Sequence, residues 1–310
     1  MSSIWAALKV NTTPRIATFP NTSQDVPQTL SAPSNAPTPR VGSPSTTIDS
    51  KLYIFSGRGG LEMKPIEEAG SLWCYDTTTN TWDLITPSDP SAPLPAGRSY
   101  HCISSDGVDR IYIHSGCPEQ GRLSDLWVFD VGQKTWTELP SAPAPTRGGA
   151  SIAFSNEKIY RMNGFDGKTE QGGSLDIFEI KDSSWSTVTF KPDGKEGPEA
   201  RSVSTLLPVS FQDKSYLLTM FGERDPSSLG HAGAGKMLFD VWAFDLEESI
   251  WQRVETGDGP VARGWFDADV MTDGVIVHGG LGEDNERLGD VWVLAFFESS
   301  LTAAQVISKT

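Results

Sequence analysis

The 310-residue chain has few cysteines and lacks long apolar runs. Its cysteines, Cys74, Cys102 and Cys117, are odd in number and have no paired spacing, so we expect neither a disulfide framework nor a cysteine-based zinc site. No apolar run approaches the length of about 18 residues that predicts a membrane span, and no signal peptide is recognisable at the start. These absences predict a cytosolic protein of a reducing compartment.

Positive charge is also scarce. There are 40 Asp and Glu residues against 25 Lys and Arg residues, which gives a formal net charge of -15. Nucleic acids and anionic lipids bind proteins through Lys and Arg side chains that neutralise phosphate, so we expect neither as a partner. A phosphate-binding loop, a dinucleotide fingerprint and a nucleophile elbow are absent from the sequence as well, which excludes the enzyme classes that depend on them.

A unit of about 50 residues does recur, five times along the chain. Each unit has a β-rich stretch ending in Gly, a variable loop and a second aromatic stretch, and in four units a Trp follows. The Gly-ended stretches are 52–57, 111–116, 159–164, 218–222 and 275–280; their partners are 72–76, 126–130, 175–179, 241–245 and 291–294; and the tryptophans are Trp82, Trp136, Trp185 and Trp251. Units of this kind are typical of propeller blades, so we predict an all-β propeller of five recognisable blades.

The two ends of the chain complete this prediction. The fifth unit lacks its own Trp, but residues 4–8 match the stretch around Trp82, so residues 1–10 are predicted to close the last blade and remove its exposed edge. The alternative is that Trp5 is a chance apolar residue in a disordered tail.

The stretch 11–46 is rich in Thr, Ser and Pro and is predicted to be a surface connector. We expect one domain, with blades over 47–297 and a tail over 298–310. The propeller has five blades if the connector only wraps around it, and six if the connector pairs irregularly.

An arginine stands at the head of every blade. These residues are Arg40, Arg98, Arg147, Arg201 and Arg263. Several could converge on the mouth of the central channel and bind an anion, because a guanidinium group clamps sulfate, phosphate or carboxylate with two hydrogen bonds. The alternative is that they tie neighbouring blades together through Asp, Glu or backbone carbonyl groups.

The fourth unit carries an expanded, Gly-rich loop over 223–238. Within it Glu223, Asp225 and His231 could offer two carboxylates and one imidazole to a metal ion, a donor set that suits ferrous iron. Two alternatives stay open. Either the metal has been lost and the scaffold kept, or Asp225 forms an Asx-type turn while Glu223 pairs with a neighbouring Arg.

The repeats resemble the kelch family and, more narrowly, the plant specifier proteins, which comprise the nitrile-specifier, epithiospecifier and thiocyanate-forming group. The resemblance covers about 40–297 and the closing strand. The motifs that carry it are 75–82, 98–101, 147–150, 201–203, 222–223 with 231–235, and 263–265 with 278–280.

The resemblance implies an Fe(II) site. Specifier proteins bind iron through a Glu, an Asp four residues later and a His four residues after that. Here Glu223 and His231 keep the overall separation, but Ser227 holds the middle position and the nearest carboxylate is that of Asp225.

The resemblance also implies a substrate pocket in the propeller funnel. Arg98 and Arg147 match positions near the substrate and are predicted to be catalytic, while Trp265 matches an aromatic residue that lines the pocket. The other predicted substrate-binding residues are Tyr100, Arg201 and Arg263.

The leading hypothesis is therefore a small-molecule lyase or isomerase of secondary metabolism that steers the breakdown of an anionic or unstable metabolite, with assistance from Fe(II). A metal-free cyclase or isomerase is one alternative. A kelch module that binds proteins through its loop face is another, since fold does not imply function. We expect a monomer or homodimer.

Overall fold

The computed structural model describes residues 2–7, 35–229, 233–272 and 274–297, and within these ranges all regular structure is β. The first strand is β1 (Ser2–Ala7). The strands of blades one and two are β2 (Ser45–Ile48), β3 (Lys51–Phe55), β4 (Arg58–Gly59), β5 (Lys64–Pro65), β6 (Leu72–Asp76), β7 (Thr81–Ile85), β8 (Cys102–Ser105), β9 (Arg110–His114), β10 (Leu126–Asp130) and β11 (Thr135–Leu139). The others are β12 (Ser151–Ser155), β13 (Lys158–Met162), β14 (Ser174–Glu179), β15 (Ser184–Thr189), β16 (Leu207–Phe211), β17 (Lys214–Met220), β18 (Glu223–Arg224), β19 (Lys236–Met237), β20 (Val241–Asp245), β21 (Ile250–Arg253), β22 (Glu255–Thr256), β23 (Asp267–Met271), β24 (Gly274–Leu281) and β25 (Arg287–Phe297).

These strands form a propeller of five blades, as the repeats predict. Blades one to four are antiparallel four-stranded sheets, and the fifth has the strand order β22-β1-β25-β24-β23. The short hairpins β4–β5 and β18–β19 extend from blades one and four. In the described ranges no helix is long and apolar enough to span a membrane.

The first strand closes the last blade, which confirms this part of the prediction. Strand β1 runs antiparallel to β25 and places Trp5 opposite Leu294. In blade one Trp82 lies opposite Tyr75, which has the same place in its strand as Leu294 has in β25. Most of the predicted connector and the predicted tail lie outside the described residues, and blade one begins at Ser45.

The cores lie between blades, because each blade presents apolar side chains to its neighbour. Trp136 of blade two packs against Phe129 of its own sheet, with ring centroids 4.9 Å apart, and against Phe55 of blade one at 5.6 Å. Its indole nitrogen donates to the Gly70 carbonyl of blade one at 2.7 Å. Burying a large aromatic side chain in this way provides much of the energy that holds neighbouring blades together.

A pair of left-handed residues directly follows the second strand in blades one to four and lies within β24 in blade five. The second of the pair is always Gly, at φ of 102 to 113°: Gly57, Gly116, Gly164, Gly222 and Gly280. A Cβ at Gly57 would lie 2.8 Å from the Cβ of Ser43, so both conformation and space require Gly there. In blades one to four this turn carries the chain out of its sheet, whereas in blade five β24 continues past a bulge to Leu281. The residues that follow the five Gly residues all bridge to the residues after the blade arginines, which brings them together at one face of the propeller.

Candidate functional site

Five residues form an inner ring at the centre of the propeller. Each stands two positions after the arginine at the head of a blade, and each has a left-handed backbone: Gly42, Tyr100, Gly149, Val203 and Trp265. Backbone hydrogen bonds join them in blade order, from Tyr100 N to Gly42 O at 2.8 Å, Gly149 N to Tyr100 O at 2.8 Å, Val203 N to Gly149 O at 2.9 Å and Trp265 N to Val203 O at 3.1 Å. The ring leads directly into the innermost strands.

Two aromatic side chains of this inner ring meet. The rings of Tyr100 and Trp265 are 5.4 Å apart and nearly perpendicular, at 83°. The structure thus brings together two of the side chains that were predicted to bind substrate, from blades two and five. Burial raises the pKa of Tyr100, whereas the charges of Arg58 and Arg287 act to lower it, which places both guanidinium groups within electrostatic range.

A second ring surrounds the first. It consists of the residues that directly follow the left-handed Gly after the second strand of each blade. These residues are Arg58, Cys117, Phe165, Glu223 and Leu281. Each forms an isolated bridge with the residue directly after a blade arginine, for example Cys117 with Ser99, where Cys117 N donates to Ser99 O at 2.7 Å. The inner and second rings together define the channel mouth.

One side of the channel mouth is basic. Among the described residues, Arg58, Arg122 and Arg287 form no ion pair with a carboxylate. Arg122 lies over the ring of Phe165, 5.1 Å from its centroid, and Arg58 donates to the Pro118 carbonyl at 3.4 Å. Arg122 lies within electrostatic range of Asp166, but three guanidinium groups without an ion pair among the described residues still suit this side of the mouth to an anion in a chain of net charge -15.

Cys117 lies on this basic side. Burial raises the pKa of its thiol, while Arg122 and Arg58 act in the opposite direction. Its sulfur fits because residue 148 is Gly, where an added Cβ would lie 2.6 Å from the Cys117 Sγ. Sequence reasoning missed Arg58 and Cys117, although their position directly after the blade Gly is the same as that of Glu223 and could have marked them.

The arginines at the heads of the blades are mostly paired with carboxylates. Arg98 donates from Nη1 and Nη2 to the two carboxylate oxygens of Asp125, at 2.6 and 2.8 Å, and the same carboxylate accepts from the Trp127 indole at 2.8 Å. The same arrangement recurs in Arg201–Asp240–Trp242, Arg263–Asp290–Trp292 and, with a glutamate, Arg40–Glu68–Trp73.

Each of these ion pairs lies within one blade, whereas the alternative considered from the sequence was a tie between blades. The arginine side chains are buried, with Arg98 only 1% exposed and Arg201 and Arg263 fully enclosed. The link to the preceding blade comes instead from the arginine carbonyl, as in the 2.9 Å bond from Gly57 N to Arg98 O. Substrate contact by Arg98, Arg201 and Arg263 stays a prediction, and these contacts favour a structural role.

Blade three departs from this pattern. Ser174 stands where the other blades have Asp125, Asp240 or Asp290, and the nearby Asp176 is paired with a second buried arginine, Arg161, at 2.7 Å. Arg147 donates to the Asn163 carbonyl at 2.9 Å but has no carboxylate partner among the described residues. Burial, with a smaller contribution from Arg161, lowers the pKa of Arg147 to about 10.

The predicted metal ligands are only partly described. Glu223 is buried and its Oε1 accepts from Gly235 N at 2.6 Å, while the Asp225 carboxylate is largely exposed and lies 3.2 Å from Arg224 Nε. Within the described ranges no group of three His, Cys, Asp or Glu side chains is arranged to hold a metal. His231 lies outside the described residues, so the ferrous site stays a prediction.

Glu170 lies near the carboxyl groups of Glu223 and Asp225, and the three together form the acidic side of the channel mouth. It follows Phe165 in the same loop and bridges to it. Burial raises the pKa of Glu170, and the charges of Glu223 and Asp225 act in the same direction. The mouth therefore has a basic side around Cys117 and an acidic side around Glu170.

Comparison with known proteins places this architecture in a class. A family model described as the KLHDC2/KLHL20/DRC7 Kelch-repeats domain matches residues 11–222, and the chain belongs to the kelch-repeat family.

One relative is of the specifier type indicated by the motifs, the N-(sulfonatooxy)prop-2-enimidothioate sulfolyase of Thlaspi arvense. It is 25% identical over 299 residues, which cover 87% of this chain and 82% of that protein. Host cell factor 2 of Homo sapiens is 26% identical over 263 residues, covering 79% of this chain and 31% of that protein. Kelch domain-containing protein 1 of Mus musculus is 22% identical over 273 residues, covering 78% and 63%.

Proposed function

We propose that the protein is a small-molecule lyase or isomerase that binds an anionic substrate at the channel mouth. The observation that carries the proposal is a set of three guanidinium groups around Tyr100 and Cys117 that form no ion pair with a carboxylate of the described residues: Arg58, Arg122 and Arg287. The likeness to a protein named as a sulfolyase supports a lyase reaction.

The arginines on the basic side bind the anionic group and stabilise charge that develops as it leaves. A guanidinium group donates two parallel hydrogen bonds to sulfate or carboxylate, and such donors act more strongly in a partly buried site than in water. The organic part of the substrate packs against Tyr100 and Trp265, whose edge-to-face contact presents an apolar surface beside the arginines.

Glu170 is the candidate for proton transfer. Because burial raises its pKa, its carboxyl group holds a proton at higher pH than an ordinary Glu does. It can donate this proton to a leaving or rearranging atom and recover it from solvent. The Cys117 thiol is held largely protonated by its burial, so we assign it contact with the substrate and no nucleophilic step.

Ferrous iron would supply a Lewis acid at Glu223, Asp225 and His231. The two described ligands do not fit such a site as they lie, because one carboxylate is bound to Gly235 N and the other is exposed beside Arg224. The proposed steps therefore use only the side chains of the protein.

A protein-binding function is the second candidate. Leu61 is fully exposed at the end of the β4–β5 hairpin, and Met63 in the same turn is also exposed. Exposed apolar side chains on a loop face favour contact with another protein.

The decisive experiment measures anion binding and turnover. Calorimetry should show that the protein binds phenyl sulfate, that Arg58→Gln weakens binding about tenfold, and that Arg110→Gln does not. Arg110 is a suitable control because it is exposed at the start of β9, where its guanidinium group lies near Asp109 and Tyr112 and not beside Tyr100 or Cys117.

Sulfate release from N-(sulfonatooxy)prop-2-enimidothioate tests the reaction. Loss of turnover in Arg58→Gln with retention in Arg110→Gln is the expected result. Equal binding and turnover in both variants would refute the proposed site.

A further inference from the structure

Gly42 of the inner ring lies beneath the side chain of Tyr100. An added Cβ at residue 42 would be 2.9 Å from both Cδ1 and Cε1 of Tyr100, closer than such atoms approach in proteins. The backbone fixes the two residues together, since Tyr100 N donates to Gly42 O at 2.8 Å. A side chain at residue 42 would therefore have to push the Tyr100 ring aside.

The position of this contact matters for the whole ring. Gly42 belongs to blade one, Tyr100 to blade two and Trp265 to blade five, so Tyr100 crosses above blade one to reach Trp265. It can do so because blade one contributes no side chain at its inner-ring position. The absence of a Cβ at Gly42 is thus what allows the two aromatic rings to meet over the centre.

We propose that Gly42 is a positioning residue that holds Tyr100 against Trp265 and so gives the channel mouth a closed aromatic floor. On this floor the substrate is an anion that carries a flat apolar group, with the anion on the arginines and the flat group on the two rings. The contacts of Gly42 with Tyr100 and of Tyr100 with Trp265 are the evidence for the aromatic floor, whereas the substrate class rests on the proposed function.

The floor can be tested without any ligand. Gly42→Ala should shift the Trp265 emission to longer wavelength and increase its quenching by acrylamide, because the displaced Tyr100 uncovers the indole. Both effects should disappear in a Trp265→Phe background, which isolates this residue among the 10 tryptophans.

Gly107→Ala is the matched control. Gly107 is also left-handed, at φ of 76°, but an added Cβ there would have no neighbour within 4 Å in the part of the chain that the structure describes. It imposes a similar backbone strain without moving a ring, so it should leave the Trp265 signal unchanged. Tyr100→Gly should reproduce the Gly42→Ala signal, and it serves as the test if Gly42→Ala does not fold.

A second experiment compares the binding affinities for phenyl sulfate and inorganic sulfate by calorimetry. Gly42→Ala should weaken phenyl sulfate about fivefold, the magnitude of one aromatic contact, and should leave inorganic sulfate unchanged. An unchanged Trp265 signal in both Gly42→Ala and Tyr100→Gly would overturn the floor. Equal loss of both sulfates would overturn its role in selection. If wild-type protein binds neither sulfate, the proposed function fails while the fluorescence result still decides the floor.

Discussion

Arg147 in blade three forms no ion pair among the described residues, although Asp176 and Asp166 act on it from further away, and this leads to a quantitative prediction. Ser174 occupies the position that holds Asp125 in blade two. Asp125 comes directly before β10, and Ser174 is the first residue of the equivalent strand β14. Replacing Ser174 with Asp should give Arg147 the carboxylate that Arg98, Arg201 and Arg263 already have. We therefore expect Ser174→Asp to stabilise the folded protein.

The magnitude follows from the environment of Arg147. Its pKa is lowered from 12.5 to about 10, and at about 1.4 kcal/mol per unit this drop corresponds to about 3 kcal/mol of unfavourable free energy for the buried charge. A new Asp recovers part of that energy but must itself be taken out of water. A net gain of about 1–2 kcal/mol in the free energy of unfolding is expected, or about 2–6 °C in Tm.

Thermal unfolding of the wild type, Ser174→Asp and Ser174→Asn tests this prediction. Asn has nearly the shape of Asp but carries no charge. The stabilisation should appear only with the charged side chain and should be lost in Arg147→Met. If Ser174→Asp is no more stable than Ser174→Asn, the reading of Arg147 as an uncompensated charge is wrong. The same variants test the predicted catalytic role of Arg147, because a new Asp partner should weaken sulfate binding if Arg147 contacts the substrate.

Three further predictions concern the closing strand, acid stability and iron. Deleting residues 1–9 removes β1 from β25 and should lower Tm by well over about 2 °C, whereas a smaller change would show that blade five does not depend on it. The folded pKa of His101 is lowered from 6.5 to about 3, so only the unfolded chain takes up the proton between these values. Unfolding free energy should therefore fall as pH drops below 6.5, with His101 contributing up to about 1.4 kcal/mol per pH unit and the buried His114 adding to the slope. His101→Phe should remove the His101 contribution to this slope in urea titrations. Finally, the predicted ferrous site requires a rearranged loop in which Asp225→Asn abolishes iron binding and Ser227→Asp strengthens it, as measured by metal content after anaerobic purification; equal iron in both variants and wild type would count against the site.

The repeat pattern determined the architecture, because each blade is a local unit. Its strands are joined by short connections, and the residues that define it lie within about 50 positions of one another. The match between residues 4–8 and the stretch around Trp82 went further and predicted a pairing across the full length of the chain. The structure confirms that pairing, with Trp5 in the register of the other closing tryptophans.

The availability of the arginines was decided only by the tertiary structure. In the sequence Arg98 and Arg147 are equivalent, since both begin a blade, and nothing nearby separates them. In the fold Arg98 is held by Asp125, 27 positions away, while Arg147 meets Ser174 at the corresponding site. The sequence did contain a signal, because an Asp directly precedes the second aromatic stretch of units two, four and five and a Ser stands there in unit three. That this Asp pairs with the blade arginine could be seen only from the residues that the sheet brings face to face.

The same reason explains the channel mouth. Tyr100 and Trp265 are far apart in the chain and belong to blades that are not adjacent, yet their rings touch because Gly42 leaves the space between them open. Sequence periodicity determines which residues begin each blade, since that is a property of one repeat. Which side chains then share the centre depends on the closure of the ring, because only closure brings five separate repeats to a common axis.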